Sequence, residues 1–369
     1  MKDLGTQEQA VLAMISSNPF AGQQDIAAAL GLARSTVASH IVQLVNKGYV
    51  LGRGYVLPAP TRVICIGGAV LDRKFHANSD LIPGTSNPVK GHASFGGVAR
   101  NVAENLCRLG IEVSFVSIVG DDETGRSIVR HLRDLGIDVS QTIITTEGRT
   151  AEYAAILGPE NDLVLGIADM DIFDLFQPAH LDRFWPHLAS ATWVFCDCNM
   201  PSPVIEALIS RKQGARYKLA LDTVSAPKAR RLPQDLSGID LLFTNFDESN
   251  AILGRPDAAT RLKPREAALA LRQRGAAEVI VTQGSTGYSV ATELGLFSMR
   301  SVQAFPVDIT GAGDGMIAGT LYQILQGEDT TTAAQSGALL ATLTTESNAS
   351  VHPDLSPQFL MAGKHRIPA

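Results

Sequence analysis

Cysteine, aromatic residues and charge are all scarce in this 369-residue chain. Four cysteines (Cys65, Cys107, Cys196, Cys198) are too few for a disulfide framework in a chain this long. Cys196 and Cys198 lack the second Cys or His pair that a zinc site needs, so reduced, buried thiols are expected. Aromatics make up 6% and charged residues 18%, and the net charge of −6 excludes a general polyanion binder. No run of ~18 apolar residues occurs, which excludes a predicted transmembrane helix. The start, Met-Lys-Asp-Leu-Gly-Thr-Gln, lacks the charged and apolar regions of a secretory signal, so a cytoplasmic location is expected. There is no G-x-x-x-x-G-K-[ST] segment, which removes the commonest phosphate-binding loop. What is present is 45% hydrophobic residues with 33 Gly, the composition of a globular protein. The length calls for one large α/β domain plus an accessory.

The accessory is at the front. Residues 1–60 carry about one net positive charge, and the remainder is acidic. Pro58 and Pro60 end that segment, and an apolar β-prone run, Arg62 to Ile66, follows. A boundary near residue 59 is therefore expected: residues 1–57, a linker at 58–61, and a domain over 62–369. Apolar spacing predicts helices over 7–16 (Val11, Met14, Ile15), 23–30 (Ile26, Leu30) and 35–46 (Val37, Ile41, Leu44, Val45). Gly31 suits the left-handed turn that ends the second. The third offers a polar face of Arg34, Ser35, Thr36, Ser39, His40 and Gln43. Residues 47–57 read as a hairpin around Gly52-Arg53-Gly54. Helix, helix, turn, polar-faced helix and hairpin is the winged helix-turn-helix order. It resembles bacterial regulator headpieces, with the polar face for a major groove and Arg53 for a phosphate. The competing reading is a small trihelical domain for dimerisation or regulation.

Beyond residue 62, strand and helix segments alternate. Strands are predicted at 62–67, 112–119, 192–197, 217–222, 240–244 and 278–283. Helices are predicted at 98–109, 124–135, 203–213, 265–274 and 312–326. That pattern predicts an α/β fold with a doubly wound, mostly parallel sheet. Two stretches break it: polar 73–95, and 150–167, a hairpin turning at Gly158 to Asp162. They are expected to form a small β lid over a site.

Two segments carry the chemistry. In Val307-Asp-Ile-Thr-Gly-Ala-Gly-Asp314, Gly311 and Gly313 open a predicted helix. Unpaired N–H groups and the positive dipole end there suit an anionic phosphoryl group. Asp314 in the first turn is placed to take a proton from a hydroxyl beside that site, though an N-terminal cap is the structural alternative. In Gly96-Gly-Val-Ala-Arg-Asn-Val-Ala103, glycines again precede a helix, and Asn101 falls on its polar face, suited to sugar hydroxyls.

Together, Gly-Gly-x-x-x-Asn-x-Ala and Asp-x-Thr-Gly-Ala-Gly-Asp resemble the two signatures of ribokinase-like (phosphofructokinase-B type) sugar and nucleoside kinases, over residues 62 to about 355. The resemblance implies ATP-dependent phosphorylation of a primary hydroxyl, a doubly wound core with a β lid, and a homodimer formed through lids. It implies Asp314 as catalytic base and Gly311, Ala312 and Gly313 as anion hole. Asp72, Gly96, Gly97 and Asn101 become substrate contacts. Asn245 and Glu248 match a motif that holds Mg²⁺ through waters, while Thr282, Gly284 and Gly287 match the nucleotide loop. Asp308 and Thr310 match a monovalent-cation loop, implying K⁺.

Further segments resemble the pseudouridine kinase branch: Ser86-Asn-Pro88, Ala168-Asp-Met170, Asp197-Cys-Asn199 and Val224-Ser-Ala226. Asn87, Asp169 and Asn199 offer donors and acceptors for a uracil edge, and Tyr153 a stacking face. Each has a structural alternative as a turn, a cap or a packed ring. The expected function is therefore phosphorylation of pseudouridine at its 5′-hydroxyl, with a headpiece for duplex DNA and no membrane partner. Another nucleoside or a furanose sugar is the alternative substrate. A transcription regulator that merely senses a ligand is the alternative class.

Overall fold

The computed structural model describes residues 4–51, 62–160, 162–212, 215–255 and 257–368. The expected hairpin tip with Arg53 and the linker lie outside the described residues.

Three helices, Thr6–Ser17, Gln23–Leu30 and Arg34–Asn46, pack as a trihelical unit around Val11, Ile15, Ile26, Val37, Ile41 and Leu44. Gly31 ends the second helix at φ +66°, the left-handed cap that glycine adopts without a Cβ clash. On the third helix Arg34, Ser35, Ser39 and Gln43 are exposed, while Thr36 and His40 are half-buried. The His40 ring meets Gln7 Oε1 at 3.1 Å. Among the described residues, no single helix is long and apolar enough to cross a membrane.

The large domain is built on an eight-stranded sheet. From one edge the order is Gly295–Met299, Tyr288–Thr292, Glu278–Thr282, Leu241–Asn245, Lys218–Asp222, Trp193–Asp197, Arg62–Ile66 and Glu112–Val116. Tyr288–Thr292 is antiparallel to both neighbours, and every other pairing is parallel. Trp193–Asp197 is buried throughout because helices cover both faces. The doubly wound α/β arrangement read from the sequence is present.

One expectation needs correction. Residues 112–119 are not one strand. The chain leaves the main sheet after Val116, and Ile118–Gly120 pairs instead with Ile143–Thr145. The break is at Ser117, whose hydroxyl donates to the Gly67 carbonyl at 2.6 Å and so ties the chain to the first strand's exit. Residues 73–95 fall in the small β lid that was expected of them. Val70–Ala77 and Val89–Gly96 are antiparallel strands, and Val70–Ala77 pairs in parallel with Ala151–Leu157. With Leu163–Asp169 they make the four-stranded lid sheet.

Candidate active site

The site gathers where the parallel strands end. Their C-terminal residues include Asp197, Asp222, Asn245 and Thr282, the edge at which open α/β sheets present ligands. The helix Ala312–Leu325 points its N-terminus at this edge. Gly311 holds φ +83°, and a Cβ on it would lie 2.0 Å from the Ser350 carbonyl. Only glycine makes that turn, which turns the first N–H groups of the helix outward as a positive cradle.

Asp314, in the first turn, is 8% exposed. Its Oδ2 accepts from Asn101 Nδ2 at 2.6 Å. The orientation of Asn101 is set by Arg100, whose guanidinium donates to Asn101 Oδ1 and leaves the amide N–H groups for Asp314. Burial pushes the Asp314 carboxyl up to about 7. The Asn101 bond and the Arg100 charge pull the other way, and Asp197 and Asp72 add repulsion. A carboxylate with that affinity for a proton is matched to general-base work near neutral pH.

Asn101 lies on the polar face of its helix, and that face is buried rather than open to solvent. Arg100, Asn101, Glu104 and Asn105 are all buried. The polar side of helix Val98–Arg108 faces the site, and its charges are paired internally: Arg100 Nη1 meets Glu104 at 2.6 Å, and Glu104 also meets Arg108. A charged helical face predicts solvent only when no other charges await it.

Asp72 stands on lid strand Val70–Ala77, opposite Ser94 and Tyr153. Its carboxylate fills the space a Gly96 side chain would take, since a Cβ there would lie 1.9 Å from Asp72 Oδ2. Gly97 has φ +99°, and its Cβ would lie 2.3 Å from the Gly68 carbonyl. The two glycines thus let the lid close against the first strand's exit. Burial raises Asp72 to about 6, with Arg100 and Lys74 opposing. Asp197 is fully buried and accepts from Gly68 N, Ala99 N and Asn199 N. It fastens this exit to the start of helix Val98–Arg108 and is a positioning group that the sequence did not single out for that role.

Tyr153 is half-buried, and its hydroxyl lies over Gly166, where a Cβ would come within 2.6 Å. Asp169 is exposed at the inner end of the last lid strand, paired with Glu152. Asn199 is buried, and its Oδ1 accepts from the Lys228 ammonium group. Asn87 is spent on its own loop: it bonds Ile82 N at 2.8 Å, Ile82 O at 3.0 Å and Thr85 O at 3.1 Å. It lies beyond the outer end of the lid strands, where Ala77 pairs with Val89, whereas Asp72 sits near the inner end. The turn alternative describes what Asn87 does in this conformation.

A cavity of about 170 Å³ joins Asp314 and Gly313 to Asp222, Thr244, Asn245, Glu248 and Thr282. Asn245 and Glu248 form a reciprocal cap on helix Phe246–Ile252: Asn245 Oδ1 accepts Glu248 N at 2.9 Å, and Asn245 Nδ2 donates to Glu248 Oε1 at 2.7 Å. Burial raises both Asp222 and Glu248, and they repel each other. Asp222 escaped the sequence reading because a lone Asp at a strand end carries no motif. Val224 beside it holds φ +62°, costly for a β-branched residue, and its N–H donates to Asp222 Oδ2. Among the described residues, no three His, Cys, Asp or Glu side chains converge as a metal cage. Hard oxygen donors that repel one another without converging fit a Mg²⁺ that keeps its waters.

Next to it opens a cavity of about 920 Å³ lined by Thr282, Gly284, Gly287, Arg300, Ile309 and Gly313, among others. Gly287 has φ +121° and packs on the Met299 carbonyl, while a side chain at Gly284 would meet nothing within 4 Å. The volume suits a nucleotide.

Asp308 and Thr310 do not fit the expected monovalent ion. Asp308 Oδ1 accepts from Thr310 N and Oγ1, and Oδ2 accepts from the Lys74 ammonium group of the lid. The carboxylate that would bind K⁺ already holds a cation.

Residues 60–356 match the pfkB family carbohydrate kinase model, and residues 6–50 match a winged helix-turn-helix DNA-binding model. The chain is 30% identical to the uncharacterized sugar kinase YeiI of Escherichia coli, covering 96% of this chain and 97% of that one. It is 27% identical to the Escherichia coli pseudouridine kinase, over 70% of this chain and 82% of that one. A carbohydrate kinase from Agrobacterium tumefaciens superposes with a TM-score of 0.73 at 30% identity, covering 84% of this chain and 98% of that chain. The Arabidopsis thaliana ribokinase solved with ribose and ATP shares the fold, at a TM-score of 0.68 and 18% identity over 83% and 99% of the two chains. The chain belongs to the pfkB carbohydrate kinase family: it is a ribokinase-like phosphotransferase with an alcohol group as acceptor, preceded by a winged helix-turn-helix module.

Proposed function

We propose that this kinase transfers the γ-phosphoryl group of ATP to the 5′-hydroxyl of a nucleoside, pseudouridine first among them, and that residues 1–57 are a duplex-DNA headpiece on the kinase domain of residues 62–369. The observation that carries the chemistry is the placing of Asp314 beside both the Gly311 turn and Asn101. A hydroxyl held by Asp72 and Asn101 loses its proton to Asp314 as its oxygen attacks the γ-phosphorus. A P–O bond forms, the bond to the β-phosphate oxygen breaks, and ADP leaves. The N–H groups after Gly311 balance the charge on the moving phosphoryl oxygens. Asn245, Glu248 and Asp222 would hold Mg²⁺ through water, and that ion supplies charge neutralisation on the ATP phosphates. Thr282, Gly284 and Gly287 line the room for the nucleotide.

The pseudouridine assignment is supported by two pseudouridine kinases among the relatives, from Escherichia coli and Arabidopsis thaliana, at 27% and 24% identity. Tyr153, Asp169 and Asn199 remain the proposed base contacts. A C-linked uracil shows one more N–H than uridine, and an acceptor left without it costs about 1–3 kcal/mol. The sugar-kinase relative and the 5-dehydro-2-deoxygluconokinases keep a furanose or other sugar as the alternative. An ATP-consumption screen over pseudouridine, uridine, adenosine, ribose and fructose, with the product mapped by NMR, tests the substrate. Equal kcat/KM on ribose or adenosine overturns pseudouridine and leaves the kinase standing.

The DNA reading is supported by the open face of Arg34, Ser35, Ser39 and Gln43. Homodimerisation through the lid is supported by Leu163, Val164, Leu165 and Ile167, each more than half exposed on the lid's edge strand. An intact Gly311 turn with its buried base argues for catalysis over a sensor that only binds.

A further inference from the structure

Lys74 and Asp72 are two residues apart on strand Val70–Ala77, so both side chains leave the same face of the lid. Asp72 reaches toward Gly96. Lys74 reaches across to the loop that leads into the Gly311 turn. Its ammonium group donates to Asp308 Oδ2 and, at 2.8 Å, to Thr310 Oγ1. The loop is arranged to receive it. Asp308 Oδ1 is occupied by Thr310 N at 2.9 Å and by the Thr310 hydroxyl at 2.6 Å, which leaves Oδ2 and the hydroxyl lone pairs facing the lid. The loop backbone is itself pinned, since Val307 N and Asp308 N both donate to the Thr345 carbonyl. Both charged side chains are largely withdrawn from solvent, at 20% and 24% exposed, so the pair is only partly screened.

We infer that Lys74 is the resident cation of this loop: its ammonium group stands where a monovalent metal ion would, and it ties the lid strand carrying Asp72 to the loop that builds the anion turn. The inference rests on the kinase reading of the Gly311–Asp314 turn. An alkylammonium has the charge of K⁺ and a similar radius, and its N–H donors suit a carboxylate and a hydroxyl oxygen that would otherwise ligate the ion. A second cation at the same carboxylate would be repelled. Because the charge is tethered to the lid, lid closure and completion of the anion turn become one event. Lys74 is thus a positioning residue: it touches neither hydroxyl nor phosphoryl group, and acts through Asp308 and Thr310.

The test uses the full chain, in KCl and in tetramethylammonium chloride at equal ionic strength. ADP–Mg²⁺ affinity is read by calorimetry, and ATP turnover on the accepted substrate is read alongside. Wild type is expected to be indifferent to the salt, within about twofold. Lys74→Met is expected to lose about 10- to 100-fold in ADP affinity and turnover in tetramethylammonium, and to regain part of it in KCl. Lys74→Arg keeps the charge and should remain indifferent. A structural loss at Lys74 would lower turnover without rescue by K⁺, and that result overturns the inference. So does wild type bound or stimulated more than about fivefold better in KCl, or Lys74→Met behaving as wild type in both salts. If Lys74→Met does not fold, wild type and Lys74→Arg in the two salts still decide. Failure of wild type to bind ADP in either salt removes the kinase reading as well, whereas ADP binding that depends on K⁺ removes the inference alone.

Discussion

Asn101 Nδ2 donates to Asp314 Oδ2 at 2.6 Å, joining residues 213 positions apart in the chain. Each comes from the first turn of a helix that follows a glycine turn, Gly97 in one case and Gly311 in the other. The helices Val98–Arg108 and Ala312–Leu325 therefore bring the Asn101 amide and the Asp314 carboxylate together at one point, as the proposed proton transfer requires.

Replacing Asp314 by Asn removes the proposed base and keeps the shape. Turnover should fall by about 10²–10⁴-fold, with ADP and nucleoside affinities changed little. Steady-state kinetics with calorimetric binding checks this, and a kcat near wild type would remove Asp314 from the role.

The raised Asp314 carboxyl gives activity and stability opposite pH trends. Its ordinary value is 3.8, and burial takes it to about 7 in the fold. As a base it works ionised, so kcat/KM should rise with pH through about 7. Between those two values the folded protein holds a proton that the unfolded chain has released, so this group's contribution to stability falls as pH rises. Asp314→Asn should flatten the dependence of Tm on pH from 4 to 8 and melt higher than wild type at pH 8. Parallel melts across that range read the difference.

Gly311→Ala tests the turn. A Cβ would meet the Ser350 carbonyl at 2.0 Å and would also sit at a positive φ. Activity should fall by at least about 100-fold, while far-UV circular dichroism keeps the fold, because the strain is confined to one loop. Activity close to wild type would mean the turn does not shape the site.

Glu248→Gln should raise the Mg²⁺ concentration for half-maximal rate by about tenfold, with saturating Mg²⁺ restoring much of kcat. The amide keeps the cap to Asn245 and removes the charge. A Mg²⁺ titration unchanged from wild type would limit Glu248 to its capping role.

The headpiece touches the kinase domain at the end of the parallel strands opposite the candidate site. The Arg216 guanidinium lies over the Tyr49 ring at 4.6 Å, and Gly48 packs on the Ala189 carbonyl. Both kinase residues precede strands whose opposite ends hold the site, Trp193–Asp197 and Lys218–Asp222. A chain starting at residue 58 should keep turnover within about fivefold and lose any DNA shift. Arg34→Ala in the full chain should weaken the shift and make its salt slope shallower by about one phosphate contact. Footprinting of DNA upstream of the protein's own operon, at low salt, is the assay. No protection there leaves residues 1–57 a dimerisation or regulatory domain.

Much was legible before the fold was seen, and for a physical reason. The turn at Gly311 and the approach at Gly96-Gly97 admit only glycine, so they leave a mark at fixed spacing ahead of a helix. The buried strands are continuous apolar runs, such as residues 193–196, and the trihelical headpiece shows its stripes at helical period. These are local constraints, each written within about ten consecutive residues. Only the tertiary structure decided what depends on residues far apart. It turned the polar side of Val98–Arg108 inward, because Arg100, Glu104 and Asp314 satisfy one another out of water. It added Asp222 and Asp197, single carboxylates at strand ends whose partners come from other elements. It spent Asn87 on its own turn and set Lys74, an unremarked lysine in a polar stretch, against Asp308, 234 residues away. A charge pairs with whatever the fold brings within reach, and that distance is not written in any one segment of the chain.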